Sequence, residues 1–280
     1  MATASPLDGL AAAGRAGTRM VRVAGRCWQV GGLPAVDACR SPADWRAGAQ
    51  ALREVTARLC ADNGVVVETR GPRPPAGCIV VANHVSYIDT LALPSLLPCT
   101  IVAKQEVASW PMIGAVCRRL GLLFVDRSSP HSGAVVLRRA ARALDAGVAV
   151  VAFPEGTTHA GSELLPFRRG LFGIARRLGV PVVTAALAYA DPRLAWIGDT
   201  AFLGHYLREV ALRPRTTVRL TFSPPLDPRA WPSADSLAAA AREQIQQTLA
   251  AAALAAAASG RLTDFAAGPR RVPRRCRAAQ

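Results

Sequence analysis

A single α/β domain, with a central, mixed, largely parallel sheet flanked by helices, is the fold class this sequence predicts. Three observations predict it. Short apolar runs at residues 65–67, 78–82, 100–103, 122–125, 148–153 and 182–187 have strand length and alternate with helix-length stretches. Gly147 and Gly179 stand where two of those helices should end. In a chain of 280 residues, 51% are hydrophobic, enough for one sizeable core and too many for a disordered polymer.

The elements follow in order. Residues 1–40 contain glycine and arginine with weak periodicity and read as a loosely ordered or partly helical lead-in. Ser41-Pro42 then reads as an N-cap with proline in the first helical position. Trp45, Ala49, Leu52, Val55 and Leu59 follow at helical spacing and mark an amphipathic helix ending near Gly64, expected to pack on the core, with a lipid surface as the alternative partner. Helices are expected near 90–97, 106–120, 132–146 and 167–178, a further strand at 217–222 and a long helix at 235–258 closed by Gly260. The division expected is a lead-in with its helix at 1–63, a core domain at 64–262 and a basic tail at 263–280, without internal repeats.

Charge narrows the function classes. The net charge is 34 − 19 = +15, and Lys104 is the sole lysine among the cations. Such an excess suits phosphorylated ligands, anionic lipid surfaces or nucleic acid. Arg270, Arg271, Arg274, Arg275 and Arg277 form a tail without an acid. The seven cysteines (27, 39, 60, 78, 99, 117 and 276) form no C-x-x-C pair, which argues against zinc or a disulfide framework. Arg15, Arg19, Arg22 and Arg26 interrupt the N-terminal apolar residues, and no stretch approaches the roughly 18 apolar residues of a span. The expectation is a cytosolic protein whose membrane contact is peripheral.

Three polar clusters emerge at strand ends, where one pocket can collect them. In the first, His84 and Asp89 follow the strand 78–82. On one continuous helix they would lie about 140° apart, so a contact requires a turn between them. Given that turn, the carboxylate can hold one imidazole nitrogen as donor and leave the other as a base towards an alcohol. A packed histidine beside a capping aspartate is the alternative. In the second cluster, the strand 122–125 delivers Arg127, whose planar fork suits a phosphate or another anion, and Lys104 can add a point charge from the neighbouring strand. In the third, Phe153-Pro154-Glu155-Gly156-Thr157 forms a turn in which Glu155 can accept a hydrogen bond from a hydroxyl or orient a cation.

Together these residues resemble the glycerolipid acyltransferase family. His84 to Asp89 matches its H-x4-D block, Gly121 to Arg127 its G-x-x-F-x-x-R block and Phe153 to Thr157 its F-P-E-G-T block, all in family order and within a resemblance spanning about residues 64–225. The resemblance implies transfer of a fatty acyl group from acyl-CoA or acyl carrier protein to a lysolipid hydroxyl, with 1-acyl-sn-glycerol-3-phosphate as the expected acceptor and phosphatidic acid as product. It implies His84 as base and Asp89 as its orienting partner, with Gly121, Arg127, Glu155, Gly156 and Thr157 on the substrate side, which Lys104 joins from its location alone. Backbone amides around Gly156 are candidate donors to the oxyanion. The resemblance implies no metal, no cofactor and no acyl-enzyme. Peripheral attachment to the inner face of the cell membrane is expected, and nucleic acid is not an expected partner.

Two departures bear on the acceptor. Thr184 stands where the family's fourth block carries a proline. Residues 196–199 and 202–205 are similar to a subgroup that acylates lyso-ornithine lipid, where Arg127 would meet a carboxylate. A basic non-catalytic module binding membrane or nucleic acid is the reading from another class; sparse aromatics and the absence of a nucleic-acid signature weigh against it. A serine hydrolase is disfavoured because there is no G-x-S-x-G elbow around Ser86. His131, His159 and His205 read as structural or surface residues, with His159 near enough to the Glu155 turn to reach a pocket rim.

Overall fold

In a computed structural model of the chain, residues 6–31, 41–159, 163–198 and 200–258 are described. The elements are α1 (Pro6–Gly31), α2 (Pro42–Asp62), β1 (Val65–Arg70), β2 (Ile79–Ala82), α3 (Asp89–Ala92), β3 (Cys99–Lys104), α4 (Ile113–Arg119), β4 (Leu123–Val125), α5 (Pro130–Asp145), β5 (Ala149–Ala152), α6 (Gly170–Leu178), β6 (Val182–Tyr189), α7 (Phe202–Tyr206), β7 (Thr216–Phe222) and α8 (Ala234–Ala258). The seven strands form one sheet in the order β1-β7-β6-β2-β5-β3-β4. From β6 to β4 all neighbours are parallel, whereas β7 runs antiparallel to β6 and carries β1 parallel at the edge. The expected mixed, largely parallel sheet is therefore present, and every expected strand is in it.

Both faces of the sheet are covered, which explains why its strands read as continuous apolar runs. On β2, Val80 and Ala82 join a core with Leu52 and Cys60 of α2, while Ile79 and Val81 join a second core with α5, α6 and α8. Trp45 and Ala49 are buried in that second core, so the apolar stripe of α2 packs on protein. Ser41 and Asp44 form the capping box of α2, with the Asp44 amide donating to Ser41 Oγ at 3.2 Å and the Ser41 amide to Asp44 Oδ2 at 2.9 Å.

Two expected helices differ from the sequence reading, and the lead-in is more helical than expected. The stretch 106–120 breaks into a 3-10 turn over Gln105–Ser109 and then α4, because Pro111 cannot continue a helix and Met112 takes a positive φ of 59°. The helix expected at 90–97 is only α3, and Pro94 follows two residues later. The lead-in contains a full helix, α1, despite its glycines. Tertiary bonds hold it: the Arg19 guanidinium donates to the carbonyls of Val210 at 2.8 Å and Arg213 at 2.6 Å, and Arg26 Nε to Asp62 at 3.0 Å. The basic tail at 263–280, Gly260, Cys39, Cys276 and Asp199 lie outside the described residues.

Candidate active site

Five neighbouring strands end on one edge of the sheet, and the chemistry collects there. β2 leads into Asn83 and His84, β5 into Phe153 and Glu155, β6 ends on Tyr189, β3 ends on Lys104, and Arg127 lies two residues past β4. Asn83 fixes the exit from β2: its Nδ2 donates to Leu187 O at 2.9 Å and its Oδ1 accepts from Leu187 N at 2.8 Å. The chain then turns around the Asp89 carboxylate, which has no solvent exposure. Asp89 Oδ2 accepts from the amides of Val85 at 2.7 Å and Ser86 at 2.8 Å and meets His84 Nδ1 at 2.9 Å. The turn that the H-x4-D spacing required is present.

The Asp89 contact assigns the His84 proton to Nδ1 and leaves the Nε2 lone pair as acceptor. The His84 side chain retains 17% exposure, so an alcohol can reach it. Phe153 stacks on the imidazole with ring centroids 4.1 Å apart and an interplanar angle of 20°, which holds the ring against a wall. Ser86 is fully buried, and its Oγ has no hydrogen-bond partner. It cannot serve as a nucleophile towards an outside substrate.

Glu155 is engaged by the backbone at both oxygens. Its Oε1 accepts from the His84 amide at 2.9 Å and its Oε2 from the Leu165 amide at 3.0 Å, and the residue is 7% exposed. Both oxygens thus hold backbone amides, and Glu155 clamps the base-bearing turn. Gly156 N–H donates to Phe153 O at 3.0 Å and closes the turn, so this amide is not an oxyanion donor. Gly156 has φ 80°, and a Cβ there would lie 2.8 Å from Arg168 Nε and 3.5 Å from Arg127 Cζ. The missing side chain is what lets two guanidiniums converge on the turn.

Arg127 Nη1 donates to Gly156 O. Burial of its guanidinium, then the like charge of Arg168, pull Arg127 below its ordinary value, with Glu106 opposing. An anion bridging the two arginines would relieve that repulsion. Lys104 Nζ pairs with Glu106 at 2.8 Å, both side chains being more than half exposed. Thr157 follows Gly156 and is exposed. Gly121 is not brought to the site: it lies at the opposite end of β4 with φ 76°, and its carbonyl accepts from Thr100 Oγ1 at 2.8 Å. Thr184 is buried with its Oγ1 on Gln244 of α8 at 2.7 Å, so its side chain lies on the sheet face opposite to Tyr189.

Tyr189, which the sequence reading did not single out, and residues of the segments 196–199 and 202–205, which it did, complete the arrangement. The Tyr189 hydroxyl donates to Asp89 Oδ1 across 100 positions of chain. Trp196 N donates to Val85 O at 2.9 Å, and Tyr87 meets Phe202 at 4.9 Å and Trp196 at 5.8 Å between ring centroids. His205 is buried: its Nε2 donates to the carbonyls of Arg193 and Ala195, and its Nδ1 accepts from Tyr87 O–H at 3.2 Å. His159 reaches the site through its backbone, N–H to His84 O at 2.7 Å. The clustering of aromatics near 196–206 in a chain with 5% aromatics was the available signal.

Thiol chemistry is disfavoured. Burial pushes Cys60 and Cys117 up to about 11 and Cys78 up to about 12. Among the described residues, no three His, Cys, Asp or Glu side chains converge as metal ligands.

Comparisons with known proteins agree with this geometry. A family model described as Acyltransferase matches residues 64–188. The chain is 38% identical over 130 residues to the 1-acyl-sn-glycerol-3-phosphate acyltransferase of Neisseria gonorrhoeae, covering 46% of this chain and 51% of that protein. The chain therefore spans about half the length of that relative. It is 32% identical over 208 residues to the lyso-ornithine lipid O-acyltransferase of Rhodobacter capsulatus, covering 70% of this chain and 75% of that protein. The crystal structure of the 1-acyl-sn-glycerophosphate acyltransferase PlsC from Thermotoga maritima superposes with TM-score 0.56 at 23% identity, covering 73% of this chain and 79% of that one, a likeness of fold. The base pair, the glutamate clamp and Arg127 all fall within residues 64–188, and the Rhodobacter match extends well beyond them: this chain belongs to the acyltransferase family.

Proposed function

We propose that the chain transfers a fatty acyl group from a thioester of coenzyme A or acyl carrier protein to the hydroxyl of a lysolipid with an anionic head group. The observation that carries this reading is His84 Nδ1 on Asp89 at 2.9 Å, in a turn tied through the His84 amide to Glu155, beside the Gly156 on which two guanidiniums converge. His84 Nε2 takes the hydroxyl proton as the oxygen attacks the thioester carbonyl carbon, and the Asp89 carboxylate steadies the imidazolium. The tetrahedral intermediate collapses with cleavage of the C–S bond, and the imidazolium returns its proton to the leaving thiolate. One ester and one thiol result.

Arg127 and Arg168 suit the dianionic phosphate of 1-acyl-sn-glycerol-3-phosphate. Lyso-ornithine lipid, whose carboxylate the same forks can hold, is the second reading; the length of the match to the Rhodobacter relative favours it. Purified protein with labelled acyl-CoA or acyl carrier protein and a panel of both lysolipids tests the proposal. Acylated product from wild type and background product from His84→Ala are expected. Equal product from the two proteins, or none from wild type with any acceptor, rejects it.

An anionic membrane surface, at the inner face of the cell membrane, is the proposed working site. Among the described residues no helix is long and apolar enough to cross a membrane. α2 cannot supply the contact, because its stripe is buried. α1 can: Leu10, Val21 and Trp28 are 71%, 72% and 85% exposed. At about 100° per residue they share one face. Arg19 and Arg26 point the other way, into bonds with the protein. Such an uncharged exposed face marks an interaction surface. Co-sedimentation with phosphatidylglycerol vesicles should be lost in a Val21→Glu, Trp28→Glu double variant. Undiminished binding by that variant would exclude α1 as the contact.

A further inference from the structure

We infer that Tyr189, at the last position of β6, is a positioning residue for the transfer reaction, acting on the base through Asp89. The inference rests on the acyl-transfer reading and adds a member to its machinery. The two oxygens of Asp89 are served very unequally. Oδ2 takes all three donors from the catalytic turn, the amides of Val85 and Ser86 and the Nδ1 of His84, whereas Oδ1 has the Tyr189 hydroxyl as its one donor among the described residues.

Three donors on one oxygen do not by themselves fix the carboxylate plane, because a rotation about Cβ–Cγ brings the second oxygen towards the same donors. The phenol prevents this by holding Oδ1 from the opposite side, on a strand that cannot move independently of the sheet. Asn83 ties β6 to the end of β2 through the Leu187 backbone, so the phenol and the imidazole are referenced to the same two strands. A carboxylate held at both oxygens keeps the Nδ1 contact at its 2.9 Å geometry and keeps Nε2 aimed at the acceptor.

The phenol also sets how much negative charge the imidazole meets. A hydrogen bond to Oδ1 draws charge from Oδ2, so without it the imidazolium is more strongly stabilised. Tyr189 remains a donor throughout the working range, since burial first and the Asp89 charge second raise it well above its ordinary value. The other titratable groups near it are Cys60 of α2 and Tyr87 of the catalytic turn, both raised mainly by burial and neutral at working pH.

The test uses the full chain with an acyl-CoA and the lysolipid that wild type accepts, in detergent micelles. Tyr189→Phe keeps the ring and removes only the hydroxyl, so the fold should survive, with circular dichroism and a melting curve as the check. A fall in kcat of roughly 10- to 100-fold with acceptor KM within about twofold is expected. The acid limb of the kcat/KM profile should move upward by roughly half a pH unit, the sign that follows from a more stable imidazolium. In an Asp89→Asn background the same substitution should cost little further, because its route is gone. Unchanged kcat, an acid limb that does not move, or a loss that adds fully to that of Asp89→Asn would each overturn the assignment. Full activity of His84→Ala would instead remove the acyl-transfer reading itself.

Discussion

At the end of β2 both oxygens of Asp89 and the Nδ1 of His84 are engaged by the protein before a substrate arrives, whereas at the ends of β3 and β4 the cations of Lys104 and Arg127 are only partly covered. Among the described residues no carboxylate bonds to Arg127 or Arg168, and the ammonium of Lys104 meets only an exposed glutamate. The first region is rigid, desolvated and low in local dielectric; the second is screened and adjustable. The contrast separates two tasks. Proton transfer needs a geometry that does not vary from turnover to turnover, while a head group held by exposed arginines can be exchanged for another anion without rebuilding the base. Under the proposed function, a phosphate-bearing and a carboxylate-bearing acceptor are compatible with one fold for that reason.

The largest effect expected from this contrast is at Asp89. Asp89→Asn presents an amide to a site whose donors, the Val85 and Ser86 amides and Nδ1–H, all require an acceptor. Loss of kcat by about a thousandfold or more is expected, with acceptor KM nearly unchanged. Steady-state kinetics against acceptor concentration check it. A variant that raised KM and spared kcat would break the division between the two regions.

Next comes Glu155, which tests whether a glutamate at the centre of a recognised motif acts on substrate or on backbone. Glu155→Gln offers one accepting oxygen where two amides need one each, so either His84 N–H or Leu165 N–H is left buried without a partner. A stability loss of about 1–3 kcal/mol is expected from that orphaned donor. In a chain of this size the melting temperature should fall by about 2–4 °C for each kcal/mol. If the variant melted like wild type and lost only acceptor affinity, Glu155 would belong with the cations.

How much of this was legible in the sequence differs between the same kinds of region. The strands were legible because a doubly covered sheet needs uninterrupted apolar residues, and the H-x4-D spacing was legible because a carboxylate five positions on can fold back over a turn. Tyr189 was not, because the partner of a buried carboxylate 100 residues away leaves no local pattern. Glu155 was legible as a site residue but its hold on the His84 and Leu165 amides was not, since residue type does not reveal which donors occupy its oxygens. α1 was hidden by Gly9, Gly14, Gly17 and Gly25, which lower helix propensity by roughly 1 kcal/mol each. Its docking arginines compensate only in the folded chain, through Arg19 on the carbonyls near Val210.

Arg127 should show the reverse kinetic signature to Asp89. Arg127→Ala removes the fork that lies on Gly156 and leaves Arg168 as the head-group cation. Acceptor KM is expected to rise about tenfold at low ionic strength, with kcat within about threefold. The penalty should shrink as salt is raised, because an exposed guanidinium is screened over about 10 Å at 0.1 M. Arg127→Lys should recover part of the affinity for a phosphate through its charge and less of that for a carboxylate, which depends more on the bidentate fork.

The smallest effect sharpens the comparison most, because it concerns charge without any buried geometry. Glu106 lies on the cation side, its carboxyl held below its ordinary range first by the hydrogen bond from Lys104, and its negative charge is also felt at Arg127. Glu106→Gln releases Lys104 from its partner and removes a negative charge that is felt at Arg127. With both side chains more than half exposed, the stability of the chain should be unchanged. Acceptor KM is expected to fall by about twofold at low salt and to return to the wild-type value near 0.5 M, where screening removes the difference. A change in kcat from so exposed a residue would mean that the cation side is coupled to the base after all, and the two regions would have to be treated as one preorganised unit.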